Sequence, residues 1–160
     1  MAELKSVHNI NPESYLFLGV RMNILLSGEQ TGNAFSMIEG IMPPGGDGGL
    51  HLHELEDESM YLLSGELEVT LGDRQFILRP GETYFAPRNM PHRLRNLGAE
   101  EARTILINTP GTFDPFIKQA GIPLAGPEIP LLPPPTPEQI QGLLVLAAAF
   151  GIRILVPPGM

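Results

Sequence analysis

The sequence predicts an all-β fold, a sandwich or barrel of short strands, on two observations. From Tyr15 to Asn108, runs rich in apolar, β-branched and aromatic residues are broken again and again by Gly, Pro, Asn and Asp. No helical period separates these runs, so strand follows strand through tight turns.

Taken in order, the expected strands are Tyr15–Val20, Arg21–Leu26, Ala34–Met42, Leu50–His53, Met60–Leu63, Leu67–Leu71, Gln75–Leu78, Thr83–Ala86, His92–Asn96 and Arg103–Asn108. Ser64-Gly65 and Gly72-Asp73 read as hairpin turns, with glycine available for positive φ, and Pro80-Gly81 as a further turn. After Pro110 the composition changes. Phe113, Phe116, Ile117 and Ala120 recur at three and four residues, predicting a short helix over Thr112–Ala120. A Pro-rich stretch, Ile122–Pro137, is expected to be extended against the surface. Thr136, Pro137 and Gln139 form a helix start, with a side-chain cap, proline at the first position and an amide at the third. That helix should reach Phe150 and stop at Gly151, and Ile152–Val156 reads as a final strand. The division is therefore a β domain over residues 1–110 and a Pro-rich extension over 111–160, packed on the barrel or on a dimer mate.

A chain of 160 residues without Cys or Trp suits one domain of ordinary size. Hydrophobic residues at 42% and charged residues at 18% argue against intrinsic disorder. A formal charge of −8 repels phosphate backbones. The nearest thing to a basic stripe is Arg88, Arg93, Arg95 and Arg103, which reads as a solvated sheet face, so no nucleic-acid partner is expected. Zero Cys removes disulfides, zinc ribbons and thiol nucleophiles together and fits a cytoplasmic location. The start, Met-Ala-Glu-Leu-Lys-Ser, lacks the apolar core of a signal peptide. The longest apolar stretch, Leu143–Phe150, is far shorter than the roughly 20 residues of a membrane span, so a soluble protein is expected. The apolar segment Tyr15–Leu26 offers an edge that a second copy could cover by strand addition, which predicts a homodimer.

Four histidines are present: His8, His51, His53 and His92. His51 and His53 stand one residue apart in a strand, so both rings share a face. Glu58 follows beyond an acidic turn (Glu54, Glu56, Asp57), with Met60 and Leu62 on its face, and His92 opens a later strand. Each has an ordinary reading alone, as a hydrogen-bonded core histidine or part of an acidic loop. Together, three imidazoles and a carboxylate inside a small barrel would cost several kcal/mol unpartnered, and a divalent metal satisfies them at once.

The punctuation around these residues is specific. Gly45 to Gly65 reads Gly-x5-His-x-His-x4-Glu-x6-Gly, and Gly81 to Asn96 reads Gly-x5-Pro-x-Asn-x2-His-x3-Asn. The first resembles the first motif of the cupin superfamily at every defined position. The second resembles the second cupin motif, with Asn89 where the family usually has glycine; Asn tolerates a left-handed backbone better than other non-glycine residues. More loosely, Thr31–Phe35, Pro110–Phe113 and the tail around Phe150-Gly151-Ile152 are similar to small single-domain cupins of the quercetin 2,3-dioxygenase-like group.

The resemblance implies a jelly-roll β-barrel with a short C-terminal helical extension, and metal ligands at His51, His53, Glu58 and His92. These ligand types suit one divalent ion among Fe, Mn, Ni, Zn and Cu. It also implies that Glu58 doubles as catalytic base, taking the proton of an acidic substrate hydroxyl. The expected pocket lining is Met22, Phe35, Met37, Met60, Leu62 and Phe85, an apolar set consistent with a small aromatic or diketone-like ligand. Tyr61 and Tyr84 are expected to point away from the interior. The implied activity is a metal-dependent oxygenase acting on a small aromatic or enolisable compound. The alternatives are a non-catalytic small-molecule-binding cupin and a metal-assisted isomerase or lyase.

Overall fold

The structure, a computed structural model, describes residues 3–160. Its strands are β1 (Glu13–Phe17), β2 (Val20–Leu26), β3 (Ser36–Met42), β4 (Leu50–His53), β5 (Asp57–Ser64), β6 (Leu67–Leu71), β7 (Arg74–Leu78), β8 (Thr83–Ala86), β9 (His92–Arg95), β10 (Ala102–Thr109), β11 (Ile122–Pro123) and β12 (Ile152–Val156). The helices are α1 (Asp114–Ala120) and α2 (Pro137–Ala149). The strands form two antiparallel sheets, ordered β11-β1-β2-β3-β10-β5-β8 and β12-β4-β9-β6-β7.

Alternation along the strands builds the interior. In β3, Ser36, Ile38, Gly40 and Met42 are buried and the residues between them are not; β10 does the same with Ala102, Thr104, Leu106 and Asn108. β5 adds Glu58, Met60 and Leu62, while Leu67, Val69 and Leu78 come from the facing sheet. This shared core holds the two sheets together and forms the floor of the site.

The first turn falls elsewhere than expected. β1 and β2 are joined through Leu18 and Gly19, with φ of 52° and 78°, rather than breaking between Val20 and Arg21. Gly19 is the sequence signal for this turn, and Leu18 beside it, a residue type that rarely takes left-handed backbone, masks it. The expected strand edge is also altered: Tyr15 and Leu16 pair with Pro123 and Ile122 of β11, and β3 flanks β2 on the other side. The chain thus covers part of its own apolar segment. The Gly65 turn behaves as expected, with φ of 81° and Ala102 backbone so close that a Cβ would lie 2.7 Å away.

In the C-terminal region, α1 begins at Asp114. The Pro-rich stretch is mostly solvent-exposed, with Leu131 fully so; its start lies along β1, where β11 pairs with Tyr15 and Leu16 and Leu124 donates to the carbonyl of Ser14. Thr136 and Gln139 form the capping box, and Gly151, with φ of 71°, follows the end of α2. Phe150 packs on Phe116 at 5.7 Å between ring centroids. β12 then joins the second sheet beside β4, with Ile152 opposite His53 and Ile154 opposite His51. Arg88, Arg93, Arg95 and Arg103 each pair with a carboxylate, of Asp57, Asp47, Glu68 and Glu39 respectively.

Candidate metal centre

β4 carries His51 and His53, and β9 carries His92 directly opposite His51. Glu58 reaches them from β5, in the other sheet. The site therefore spans the interior from one sheet to the other. Period two aims both β4 rings inward, with centroids 5.2 Å apart; His92 lies 4.4 Å from His51 and 5.4 Å from His53. One ring nitrogen from each histidine falls within 4.8 Å of the other two. His53, Glu58 and His92 are buried, and His51 is half-buried on the open side. His8 is exposed and takes no part.

The outer nitrogens decide what the inner ones offer. Nδ1 of His51 lies 3.0 Å from Gly49 O, Nδ1 of His92 is 2.9 Å from Met90 O, and Nδ1 of His53 is 2.7 Å from Glu56 Oε1. Each acceptor requires a proton on Nδ1, which turns Nε2 toward the centre, where it offers a lone pair whenever the ring is neutral. Among the described residues, Nε2 of His53 and of His92 make no hydrogen bond, although His92 Nε2 stands 2.8 Å from Glu58 Oε2. Buried nitrogens left in this state, beside a carboxylate, fit a divalent transition ion.

Charge and burial set the protonation. Burial, reinforced by the neighbouring imidazoles, pushes His51 down to about 3, so it is neutral and free to donate its lone pair. Burial alone would raise the Glu58 carboxyl, but His92 and the other two imidazoles hold it well below the usual carboxylate range. Burial opposes protonation of His92, and the Glu58 charge outweighs it, raising His92 above its ordinary value. The Glu58 carboxylate also accepts a hydrogen bond from the Tyr84 hydroxyl at 2.8 Å.

A cavity of about 70 Å³ opens beside His51 and Glu58. Met22 and Met60 line it, and Leu62 is buried in the core without lining it. Phe35 and Met37 are half-exposed, and Phe85 is 56% exposed on the outer face of β8. None of these three lines the cavity. The cause for Met37 and Phe85 is strand parity: in β3 it is Ile38, and in β8 it is Tyr84, that faces inward. Tyr84, expected to point outward, is buried for the same reason, while Tyr61 is exposed. Phe17, Leu106 and Phe113 line the cavity and were not anticipated. Phe113 also packs edge-on against His53, with centroids 5.0 Å apart. A larger open groove of about 800 Å³, between Ser64–Glu68 and Leu97–Glu101, includes none of the site residues.

Two antiparallel sheets with a three-histidine cluster between them make a jelly roll of the cupin type. Its residues 39–108 match the cupin domain family. The chain is 27% identical over 134 residues to a quercetin 2,3-dioxygenase from Bacillus subtilis (strain 168), covering 84% of this chain and 39% of that protein. It is 40% identical over 70 residues to the polyketide synthase CurC of Streptomyces cyaneus, covering 44% of this chain and 46% of that one. The chain thus spans less than half the length of these two relatives. A solved structure from Thermotoga maritima, described as a predicted oxalate decarboxylase, superposes with a TM-score of 0.57 at 28% identity, covering 63% of this chain and 93% of the other. Among the described residues, no helix is long and apolar enough to cross a membrane.

Proposed function

We propose that the chain is a metal-dependent oxygenase of the quercetinase-like class, acting on a small aromatic or enolisable compound. His51, His53 and His92 would hold the ion through Nε2, with Glu58 as the fourth ligand. The observation that carries this reading is the set of three Nδ1 atoms tied to acceptors, which turns three imidazole Nε2 atoms toward one ionised carboxylate. The alignment with the Bacillus subtilis dioxygenase, which extends over 84% of this chain, favours oxygenase chemistry within the superfamily.

A bound divalent ion supplies Lewis acidity and open positions for substrate and dioxygen. The protein's own groups do the rest. Tyr84 holds Glu58 Oε2, leaving Oε1 as the more available acceptor for an acidic substrate hydroxyl proton. Met22, Met60, Leu106 and Phe113 exclude water and receive an apolar ring. A cavity of about 70 Å³ is far below the roughly 300–1,000 Å³ of sites for drug-sized ligands. It favours a compact phenol or diketone over a flavonol.

The test pairs metal analysis of protein purified without chelators with oxygen uptake on phenols, flavonols and diketones, after reconstitution with Fe, Mn, Ni, Zn or Cu. About one ion per chain, its loss in His51→Ala, and oxygen consumption with a compact phenol or diketone are expected. Tight binding without turnover would replace this reading with a non-catalytic binding cupin. Turnover without oxygen consumption would replace it with an isomerase or lyase.

A further inference from the structure

The three histidines are not held alike. His51 and His92 each donate Nδ1–H to a backbone carbonyl two residues upstream, those of Gly49 and Met90. His53 donates instead to a side-chain carboxylate, Glu56 Oε1, at 2.7 Å. Glu56 lies in the acidic turn between β4 and β5, yet it is only 1% exposed, whereas Glu54 two residues before it faces solvent. Its other oxygen, Oε2, accepts a short hydrogen bond from the Thr112 hydroxyl. Thr112 sits between β10 and α1 and immediately precedes Phe113, whose ring touches His53 and lines the cavity.

We propose that Glu56 is a positioning residue: it fixes His53 in the Nδ1–H form with Nε2 toward the centre, and Thr112 in turn fixes Glu56. A buried carboxylate without partners is costly, and here both oxygens are engaged, one by each neighbour. Hydrogen bonding by a carboxylate makes an imidazole a stronger electron donor to a metal than bonding by a neutral carbonyl does, and His53 alone of the three has a carboxylate partner. The link through Thr112 connects that ligand to the loop that carries Phe113. The tautomer assignment stands on the protein alone; its consequence for metal affinity rests on the ligand set proposed above.

The experiment has two arms, chosen to separate those claims. In the first, metal-free protein labelled with 15N-histidine is examined by NMR. Wild-type His53 should show Nδ1–H only, while Glu56→Ala should show a mixture with Nε2–H, and Thr112→Val a smaller shift the same way. Glu56→Gln keeps an acceptor oxygen and should restore the Nδ1–H form. In the second arm, Co(II) is titrated against a competing chelator while its visible spectrum is followed. Glu56→Ala should bind Co(II) about 10–100-fold more weakly with an altered spectrum, and Glu56→Gln should fall between it and wild type. Should Glu56→Ala not fold, Glu56→Gln and Thr112→Val carry both arms. An unchanged His53 tautomer in folded Glu56→Ala and Thr112→Val would overturn the positioning role. A shifted tautomer with no Co(II) uptake by wild type would leave that role supported and overturn the metal reading instead.

Discussion

Tyr84 donates its phenolic hydrogen to Glu58 Oε2 across 2.8 Å, from a neighbouring strand and with both side chains buried. Burial first, and the Glu58 charge second, push the phenol well above its ordinary value of 10.0. The hydroxyl therefore remains a donor at any physiological pH. Tyr84→Phe keeps the ring and removes this donor from an ionised acceptor, so metal-free protein should lose about 1–3 kcal/mol in denaturant unfolding. A variant as stable as wild type would mean that water replaces the hydroxyl at no cost.

Stability of the metal-free protein should depend on pH through two histidines of opposite sign. His51 is neutral in the fold down to about 3 but takes a proton near 6.5 when unfolded. Its stabilising contribution is complete above 6.5 and is lost as pH falls toward 3. His92, raised above 6.5, contributes fully below that value and loses its contribution as pH rises through its folded value. Glu58, depressed below 4.5, adds a further loss in stronger acid. The site groups together thus give greatest stability near pH 6.5. Urea midpoints measured across the range should show this maximum, and His51→Ala should lose much of the acid-side decline between 6.5 and 4.5.

Gly28 should tolerate no side chain. A Cβ there would stand 1.9 Å from the carbonyl oxygen of Gly111, in the segment that leads to Thr112 and Phe113. Backbone must move to admit it, so Gly28→Ala should cost about 3 kcal/mol in thermal or chemical unfolding. It should also perturb the His53 ring resonances through Phe113. Unaltered stability and resonances would show the Gly111 segment free to shift away.

Phe17 is half-buried and contributes to the cavity wall. Phe17→Ala should enlarge the cavity and move ligand preference from single-ring phenols toward two-ring compounds, read as relative thermal stabilisation by each class. It should also cost stability, at less than the roughly 3–5 kcal/mol of a fully buried Phe→Ala change, because it removes the edge-on contact with Phe116 at 5.3 Å. An unmoved preference would place the limit on ligand size elsewhere in the wall.

Local chemistry was legible wherever one residue type had a single use. Thr136 with Gln139 predicts a capping box and makes one. Asn89, standing where the cupin motif usually has glycine, takes φ of 65° and donates its backbone N–H to the carbonyl of His53. Parity was less secure. Phe85 and Tyr84 are adjacent aromatic residues, and only the pairing of β8 with β5 decides which turns inward. Glu56 was indistinguishable from Glu54 in an acidic turn, because nothing nearby in sequence announces Thr112, 56 residues away.

What the sequence by itself determined is therefore the strand pattern, the turn chemistry and the two spaced motifs bearing His51, His53, Glu58 and His92, since these depend on residue periodicity and backbone preference. Only the tertiary structure decided that β12 returns beside β4, that Tyr84 rather than Phe85 meets the site, and that a buried carboxylate holds His53. Those relationships join residues far apart in the chain. They exist because polar groups enclosed between two sheets must find partners among whichever side chains the fold brings within hydrogen-bonding reach.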